Sequence, residues 1–246
     1  MTTMIVDDGD GLIRHLLHHY PNLNLAGADL TDVFQRTPLE KFFNGKTWTK
    51  DEKWLKVHVS DMMRVALVWH WGGIYTDTDV ICLKDMSHFS NTVAFQAPGI
   101  LANGFFKFQS QHKVLKSYMK VMIKNYKPGV WGSMGPKSLS EVLKAECKVK
   151  DLRKLHPKLP LTCGDVSLLP PKQFYPIIWQ NYKKYMEPGK GKNFTEDFKE
   201  NFSLHVWNKL SVDEVVRKGS NSIYETAAKT HCPITYQYAT RRSLTF

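Results

Sequence analysis

The sequence predicts one α/β domain, and three observations lead to this fold class. A chain of 246 residues, of which 42% are hydrophobic, can bury a sizeable core. Apolar residues at helical spacing alternate along the chain with short runs rich in β-branched and aromatic residues. No internal repeat, low-complexity tract or domain linker interrupts this pattern. We therefore expect a single domain.

Two helices are predicted first. Apolar residues recur at helical spacing in Leu12–Leu17, and Pro21 stops this segment. The run Thr37-Pro38-Leu39-Glu40 has the pattern of a capping box with proline at the first helical position. This run predicts the start of a second, short helix.

The third predicted helix carries two charged side chains on one face. Ser60 is a favourable N-cap, and the helix is expected to run to about His70, where Gly72-Gly73 stops it. Asp61 and Arg64 are three residues apart, so a helix places them on the same face. The helix therefore presents a carboxylate and a guanidinium side by side.

The strand predicted next ends at two carboxylates. Residues 74–76 have strand character, and Asp77 and Asp79 follow at its carboxyl end. Ligands of open α/β sheets bind at this end of the strands. The later predicted elements are strands at Val93–Phe95 and Gly104–Phe108, helices at Leu115–Ile123 and Lys137–Leu143, and a last strand at Ser203–Asn208.

The formal net charge is +11 at pH 7, which is unusually high. Such a charge suits nucleic acid, an anionic membrane surface or a phosphorylated small molecule. The basic residues are spread over residues 107–127, 144–158 and 183–192, and no helix-turn-helix, zinc-finger or RNA-recognition motif accompanies them. We therefore predict that the protein has no nucleic-acid partner.

The cysteines and two sequons favour an oxidising, lumenal compartment. The four cysteines lack paired CxxC spacing, so a structural zinc site is not expected. Cys147 and Cys163 flank a basic loop with proline and are expected to form a disulfide there, whereas Cys82 lies in an apolar run and is expected to be a buried free thiol. Asn193 and Asn201 begin N-glycosylation sequons. No signal peptide and no apolar run long enough to span a bilayer is visible, so either the protein is cytosolic or this chain lacks its original N-terminus.

The pair Asp77-x-Asp79 predicts a metal and phosphate site. Burying a carboxylate without a partner is costly, so acidic residues between apolar runs need a metal or a hydrogen-bond donor. Oxygen ligands of this kind suit a divalent cation that holds a phosphorylated substrate. Asp61 and Arg64 are expected to lie near enough to bind this substrate. A haloacid-dehalogenase-type phosphatase also uses Asp-x-Asp after a strand, but it needs paired acidic residues downstream, and the Asp-Asp pair here, Asp7-Asp8, lies upstream.

Ordered motifs along the chain give a more specific signal. Ser60-Asp61-x-x-Arg64, followed by Gly72-Gly73-Ile74-Tyr75-x-Asp77-x-Asp79, resembles the sugar-binding region with a DXD motif of retaining GT-A glycosyltransferases. Five further motifs, in the family's order, resemble the α1,4-glycosyltransferases: Thr37-Pro38-Leu39, Asn103-Gly104-Phe105, Trp131-Gly132-x-x-Gly135-Pro136, Leu169-Pro170-Pro171-x-x-Phe174-Tyr175-Pro176-Ile177 and His205-Val206-Trp207-Asn208-Lys209. The resemblance covers nearly the whole chain.

The resemblance implies a single GT-A, Rossmann-like domain over residues 1–246 with a mixed central sheet. Its donor-binding part is expected at about 1–110 and its acceptor side at about 111–246. The resemblance implies that the chain begins inside the family's first strand–helix unit, so it is expected to be truncated at its N-terminus. The family implies a lumenal Golgi location with a type II anchor that is not present in this chain, and it leaves the oligomeric state open.

The resemblance also implies a reaction. The expected enzyme is a retaining α1,4-glycosyltransferase that moves galactose or N-acetylgalactosamine from a UDP-sugar to a glycosphingolipid, such as a lactosylceramide-type glycan, at the membrane surface. The alternatives are α1,4 transfer of N-acetylglucosamine to glycoprotein O-glycans, and an inactive relic that binds sugar or nucleotide. Retention in such enzymes is attributed to front-face attack, so no carboxylate nucleophile is expected, unlike in retaining glycosidases.

The family resemblance assigns roles to the site residues around a Mn²⁺ ion. Asp79 is the expected direct ligand, and Asp77 is expected to contact ribose or the donor sugar and to reach the metal through water. Asp61 and Arg64 are expected to hydrogen-bond the hydroxyl groups of the donor sugar. Asn103 is a candidate for donor or acceptor contacts, although Asn-Gly is first of all a turn signal.

The roles of the aromatic and imidazole side chains are left open. Tyr75 lines the nucleotide pocket or is a core residue of its strand, and His205 binds metal or diphosphate or is satisfied by the backbone. Three tryptophans either stack on sugar faces or belong to the core, namely Trp131, Trp179 and Trp207. Ser133-Met134 stands where family members tend to carry polar or amide residues, which leaves donor and acceptor selectivity open.

Overall fold

The computed structural model describes residues 11–50 and 53–245. The pair Asp7-Asp8 lies outside these described residues. The described chain divides into two compact units, the first formed by residues 28–77 and 87–171 and the second by residues 11–27, 78–86 and 172–245. The single catalytic domain and its division near residue 110 stay predictions.

The helices and strands are numbered in chain order. The helices are α1 (Leu12–His19), α2 (Leu30–Phe34), α3 (Glu40–Asn44), α4 (Leu55–Trp71), α5 (Lys113–Asn125), α6 (Pro136–Glu146), α7 (Pro171–Phe174), α8 (Phe194–Asp197), α9 (Asn208–Ser211), α10 (Ile223–His231) and α11 (Pro233–Arg242). The strands are β1 (Gly73–Thr76), β2 (Val80–Cys82), β3 (Thr92–Ala97), β4 (Ile100–Phe108), β5 (Leu161–Cys163), β6 (Val166–Leu169) and β7 (Ser203–His205). Short 3₁₀ helices cover Thr47–Lys50, Leu152–Lys158 and Trp179–Tyr185.

The first unit is built on a five-stranded sheet with the order β1-β4-β3-β6-β5. Strands β3 and β6 run parallel, whereas the other neighbouring pairs are antiparallel. Helix α4 packs against β1, β4 and α5, and α5 packs against α6. The predicted α/β class and the mixed central sheet are therefore confirmed.

Helix α4 begins earlier than its capping signal predicts. The helix starts at Leu55, so the prediction that Ser60 is its N-cap is wrong. The Ser60 hydroxyl instead lies inside the helix and accepts a hydrogen bond from Nη2 of Arg64 at 3.0 Å. Buried side chains such as His58 fix the extra turn by packing, which outweighs the local preference of serine for a helix start.

The predicted end of α4 is correct. Gly72 is the C-cap, with φ of 69°, a left-handed value that L-residues other than glycine rarely adopt. A Cβ at this position would also lie 2.8 Å from the backbone nitrogen of Ser110. The glycine therefore allows a sharp turn directly from α4 into β1, which brings Asp77 to the end of that strand.

A disulfide joins Cys147 and Cys163 in the first unit. It connects the residue that follows α6 to the end of β5, with a Cα–Cα distance of 4.9 Å. The loop that it closes includes the 3₁₀ helix Leu152–Lys158. The bridge therefore ties α6, whose first turn lies at the candidate site, to the edge of the sheet.

The second unit contains a two-stranded antiparallel ladder of β2 and β7. Helix α10 packs on β2, on α8 and on α11.

The prediction that Cys82 is buried is wrong, because its side chain is exposed. Neighbouring residues of a strand point to opposite faces, and in β2 it is Ile81 that faces the core. Among the described residues, no helix is long and apolar enough to cross a bilayer.

The two sequons of the second unit have opposite environments, and we expect an N-glycan on Asn193 but not on Asn201. Asn193 is exposed. Asn201 is only 1% exposed, and its Nδ2 donates a hydrogen bond to the backbone oxygen of Lys172. A glycan on Asn201 would have to break this buried bond. Glycopeptide mass spectrometry of protein secreted by cultured cells tests the prediction, with Thr195→Ala as the control that removes the first sequon. A folded protein that carries a glycan on Asn201 would contradict it.

Candidate functional site

In the first unit, Arg64 is the centre of a buried polar network. Its Nη1 donates to Oδ1 of Asp77 at 2.8 Å and to the backbone oxygen of Asn103 at 2.9 Å. Its Nε and Nη2 donate to the backbone oxygen and the hydroxyl of Ser60 at 3.2 and 3.0 Å. The guanidinium also lies 4.5 Å from the ring centroid of Tyr75. The protein itself therefore uses most of the N–H groups of Arg64.

Asp77 is fixed at the end of β1. Its backbone N–H donates to the oxygen of Gly104, which continues the pairing of β1 with β4. Its Oδ1 accepts hydrogen bonds from Arg64 and, at 2.7 Å, from the hydroxyl of Tyr75. The side chain of Asp77 is 26% exposed. The carboxylate is thus held in one orientation while remaining open to solvent.

Asp61 is the most unusual group of the network. It is 3% exposed, and its Oδ1 accepts a hydrogen bond from Nδ2 of Asn103 at 2.7 Å and lies 3.5 Å from Nη2 of Arg64. Its Oδ2 is buried without a hydrogen-bond partner. Burial raises the pKa of Asp61 to about 7; Arg64 opposes the rise, Asp77 adds to it, and the hydrogen bond from Asn103 opposes it. The network therefore contains one acceptor atom that the protein leaves unsatisfied.

Asn103 connects this carboxylate to two residues that sequence reasoning missed. It lies inside β4, so the alternative that Asn-Gly forms a turn here is wrong. Its Oδ1 accepts a hydrogen bond from the hydroxyl of Tyr118 at 2.7 Å, and that hydroxyl also lies 3.0 Å from the backbone oxygen of Gly135. Gly135 belongs to a recognisable motif, whereas Tyr118 looks like any core residue of an amphipathic helix.

In the second unit, Asp79 is held by the segment that follows β7. Its backbone oxygen accepts a hydrogen bond from the N–H of Val206 at 3.0 Å, and its Oδ2 accepts one from the N–H of Asn208 at 2.9 Å. Trp207 lies between these donors with φ of 58°, in the left-handed region that is uncommon for a large side chain. This backbone conformation turns the chain so that the Asn208 N–H reaches Asp79.

His205 lies beside the other oxygen of Asp79. Its Nε2 is 3.4 Å from Oδ1 of Asp79, and its Nδ1 accepts a hydrogen bond from the N–H of Trp207 at 3.2 Å. Because Nδ1 acts as the acceptor, neutral His205 carries its proton on Nε2. The imidazole therefore presents its Nε2–H group next to Oδ1 of Asp79.

The predicted tryptophans have different environments. Trp207 is partly buried, and its Nε1 donates to the backbone oxygen of Ile177 at 2.8 Å. Trp179 contacts Trp207 edge to face, with ring centroids 6.1 Å apart. Trp131 is 51% exposed. Of the three, Trp131 is the most exposed to solvent.

Two family descriptions match the chain. Residues 10–97 match the glycosyltransferase sugar-binding region containing a DXD motif, and residues 107–239 match the alpha 1,4-glycosyltransferase conserved region. The second match spans more than half of the chain. The chain belongs to the α1,4-glycosyltransferase family. Glycosyltransferases with a DXD motif typically bind a divalent metal ion, and the carboxylates at Asp77 and Asp79 are oxygen ligands that suit one.

Named members of this α1,4-glycosyltransferase family are similar to the chain over most of its length. Lactosylceramide 4-alpha-galactosyltransferase of Mus musculus is 34% identical over 222 residues, which are 90% of this chain and 60% of the mouse protein. Alpha-1,4-N-acetylglucosaminyltransferase of Homo sapiens is 32% identical over 217 residues, 88% of this chain and 62% of the human protein. The chain thus spans about three-fifths of these relatives. A solved structure titled PaToxG Glycosyltransferase is 16% identical with a TM-score of 0.43 over 63% of this chain and 58% of that one, too low to support an argument.

Proposed function

We propose that this chain is the catalytic region of a retaining α1,4-glycosyltransferase. It transfers galactose or N-acetylgalactosamine from a UDP-sugar to a glycosphingolipid of the lactosylceramide type, in the Golgi lumen, where a type II anchor holds the protein. The observation that carries the proposal is the buried Asp61 carboxylate, which has one oxygen without a partner and is joined through Arg64 to Asp77 of the DXD motif. The names of the relatives supply the sugar, the linkage and the glycolipid.

The donor sugar binds to the network of the first unit. A hydroxyl group of the sugar donates to Oδ2 of Asp61 and so gives this oxygen the partner that it lacks. A Cβ on Gly135 would lie 2.6 Å from Oδ2, so the Gly135 backbone lies close against this oxygen. Arg64 orients Asp61 and Asp77, since its own N–H groups are used within the protein. The solvent-exposed part of the Asp77 side chain faces the donor, and Tyr75 forms part of the nucleotide pocket.

Asp79 and His205 bind the diphosphate end of the donor. Asp79 would hold Mn²⁺ directly, and Asp77, two residues earlier, would hold it through water. When bound, the ion neutralises the charge that develops on the departing diphosphate. His205 donates its Nε2–H to a diphosphate oxygen, because the N–H of Trp207 occupies Nδ1 and disfavours the tautomer that a metal ligand needs. No side chain is assigned as a covalent nucleophile.

A panel of donors and acceptors tests the proposed reaction. We expect the full-length protein with Mn²⁺ to transfer galactose or N-acetylgalactosamine to lactosylceramide and to lose this activity when a chelator is added. Nuclear magnetic resonance of the product should show an α1,4 linkage. Transfer that continues in the chelator contradicts the metal assignment.

Two other outcomes would replace the proposal. Transfer of N-acetylglucosamine from its UDP-sugar to an O-glycan acceptor would identify the alternative enzyme, which the human relative represents. Failure to bind any of the three UDP-sugars, measured by calorimetry with Mn²⁺ present, would identify an inactive relic.

A further inference from the structure

The orientation of the Asn103 amide is set by a residue behind it. Tyr118 is fully buried, and burial raises the pKa of its hydroxyl well above the ordinary value, so this group stays protonated. Its single proton is donated either to Oδ1 of Asn103 at 2.7 Å or to the backbone oxygen of Gly135 at 3.0 Å. With an O–H group facing one side of the amide, the NH₂ group faces Oδ1 of Asp61 at 2.7 Å. The hydroxyl of Tyr118 and the carboxylate of Asp61 therefore hold the amide from its two sides.

Gly135 lies against the other side of the same carboxylate. A Cβ at this position would lie 2.6 Å from Oδ2 of Asp61 and 2.9 Å from Nδ2 of Asn103, which is closer than real Cβ contacts come. Both neighbours are buried and hydrogen-bonded, so they have little room to move. Only glycine fits here without displacing Asp61 or Asn103.

We propose that Tyr118 and Gly135 are positioning residues of the donor-sugar site. Tyr118 holds the Asn103 amide so that Asp61 presents Oδ2, and not Oδ1, to a sugar hydroxyl. Gly135 has no Cβ and therefore leaves room for Oδ2 of Asp61. Neither residue touches the sugar, and the inference rests on the proposed function because it assumes that the ligand of Asp61 is a UDP-sugar.

The variant Tyr118→Phe tests the inference, with Tyr126→Phe as its matched control. Tyr126 follows the same helix, and its hydroxyl lies 3.3 Å from the backbone oxygen of Trp48, away from the network. Without the Tyr118 hydroxyl the amide keeps only its hydrogen bond to Asp61 and is held less firmly. We therefore expect the KM for UDP-galactose to rise about 3- to 10-fold, the size of one lost neutral hydrogen bond, while kcat changes less than about twofold. Tyr126→Phe should leave both constants unchanged. A variant that only loosened the fold would not change KM alone.

A second readout is independent of activity. The side-chain amide protons of Asn103 are buried and hydrogen-bonded, so they should exchange slowly with solvent in the wild type, and faster in Tyr118→Phe but not in Tyr126→Phe. Gly135→Ala, if it folds, should change the same amide signals and abolish saturable donor binding. The amide signals of Asn103 are assigned by their disappearance in the variant Asn103→Leu.

The outcomes separate the inference from the proposed function. If the wild type transfers sugar and Tyr118→Phe matches Tyr126→Phe in KM and in amide exchange, the inference is wrong and the function stands. If the wild type transfers no sugar, the function is wrong, and the amide exchange alone decides whether Tyr118 positions Asn103. Unchanged exchange in Tyr118→Phe overturns the positioning role in either case.

Discussion

Replacing Asp79 by asparagine is expected to lower kcat/KM by about 10³-fold, because a metal ion is worth several kcal/mol of transition-state stabilisation and every 1.4 kcal/mol is tenfold in rate. Asparagine has nearly the same shape, and its oxygen can still accept the hydrogen bond from the N–H of Asn208. The local fold should therefore survive while the charge that binds the metal is lost. Steady-state kinetics over a range of Mn²⁺ concentrations measures the effect.

Metal binding to this variant can be followed without the reaction. A ligand at 100 times its Kd stabilises a protein by about 2.7 kcal/mol, so saturating Mn²⁺ with UDP should raise the melting temperature of the wild type but not that of Asp79→Asn. Asp213→Asn, an exposed aspartate of the same unit, is the control and should behave as the wild type. If Asp79→Asn keeps its activity and its response to Mn²⁺, Asp79 is not the metal ligand.

Asp61→Asn should make the protein more stable and less active at the same time. The pKa of Asp61 is raised from 3.8 to about 7 by burial. The native state then holds a proton that the unfolded state has released between about pH 4 and pH 7, so stability falls as the pH rises through this window. The full penalty above pH 7 is roughly 4 kcal/mol, from 1.36 kcal/mol per pKa unit. Asparagine avoids this penalty because it carries no charge.

Urea unfolding at several pH values measures the stability half of this prediction. The free energy of unfolding of Asp61→Asn should exceed that of the wild type above pH 7, by up to about 4 kcal/mol, and the difference should disappear towards pH 4. Activity should fall about 10- to 100-fold, since a hydrogen bond to a charged group is worth about 1.5–3 kcal/mol. Asp32→Asn, an exposed aspartate of the first unit, should show neither effect. If Asp61→Asn is less stable than the wild type at pH 8, the prediction that ionised, buried Asp61 destabilises the fold is wrong.

Local patterns of the sequence predicted the parts of the site that neighbouring residues determine. The three-residue spacing of Asp61 and Arg64 on a helix, and the glycine stop before β1, depend on backbone geometry over a few residues, and the structure has both. The start of α4 was wrong because packing of buried residues, and not the serine at position 60, decides where that helix begins. Propensity is a weak signal where tertiary contacts compete with it.

Long-range contacts could not be read from the sequence. The hydroxyl of Tyr118 contacts a residue 15 positions away and another 17 positions away, and nothing in an amphipathic helix marks which tyrosine does so. The hydrogen bonds of Arg64 to Ser60, Asp77 and Asn103 likewise become visible only in three dimensions. The sequence indicated a donor-binding role for Arg64, and the geometry shows a side chain already engaged with the protein.

The anchoring of Arg64 has a consequence for the entropy of donor binding. An arginine side chain has about 2 kcal/mol of rotamer entropy, which a flexible surface arginine loses when it closes on a ligand. Here the guanidinium is fixed on four hydrogen bonds before any ligand arrives. The rotamer entropy of Arg64 is therefore lost during folding and not during donor binding. The guanidinium has the same position before and after the sugar binds. Selectivity between donor sugars then depends on shape complementarity, because a preorganised site does not adjust to a sugar of a different shape.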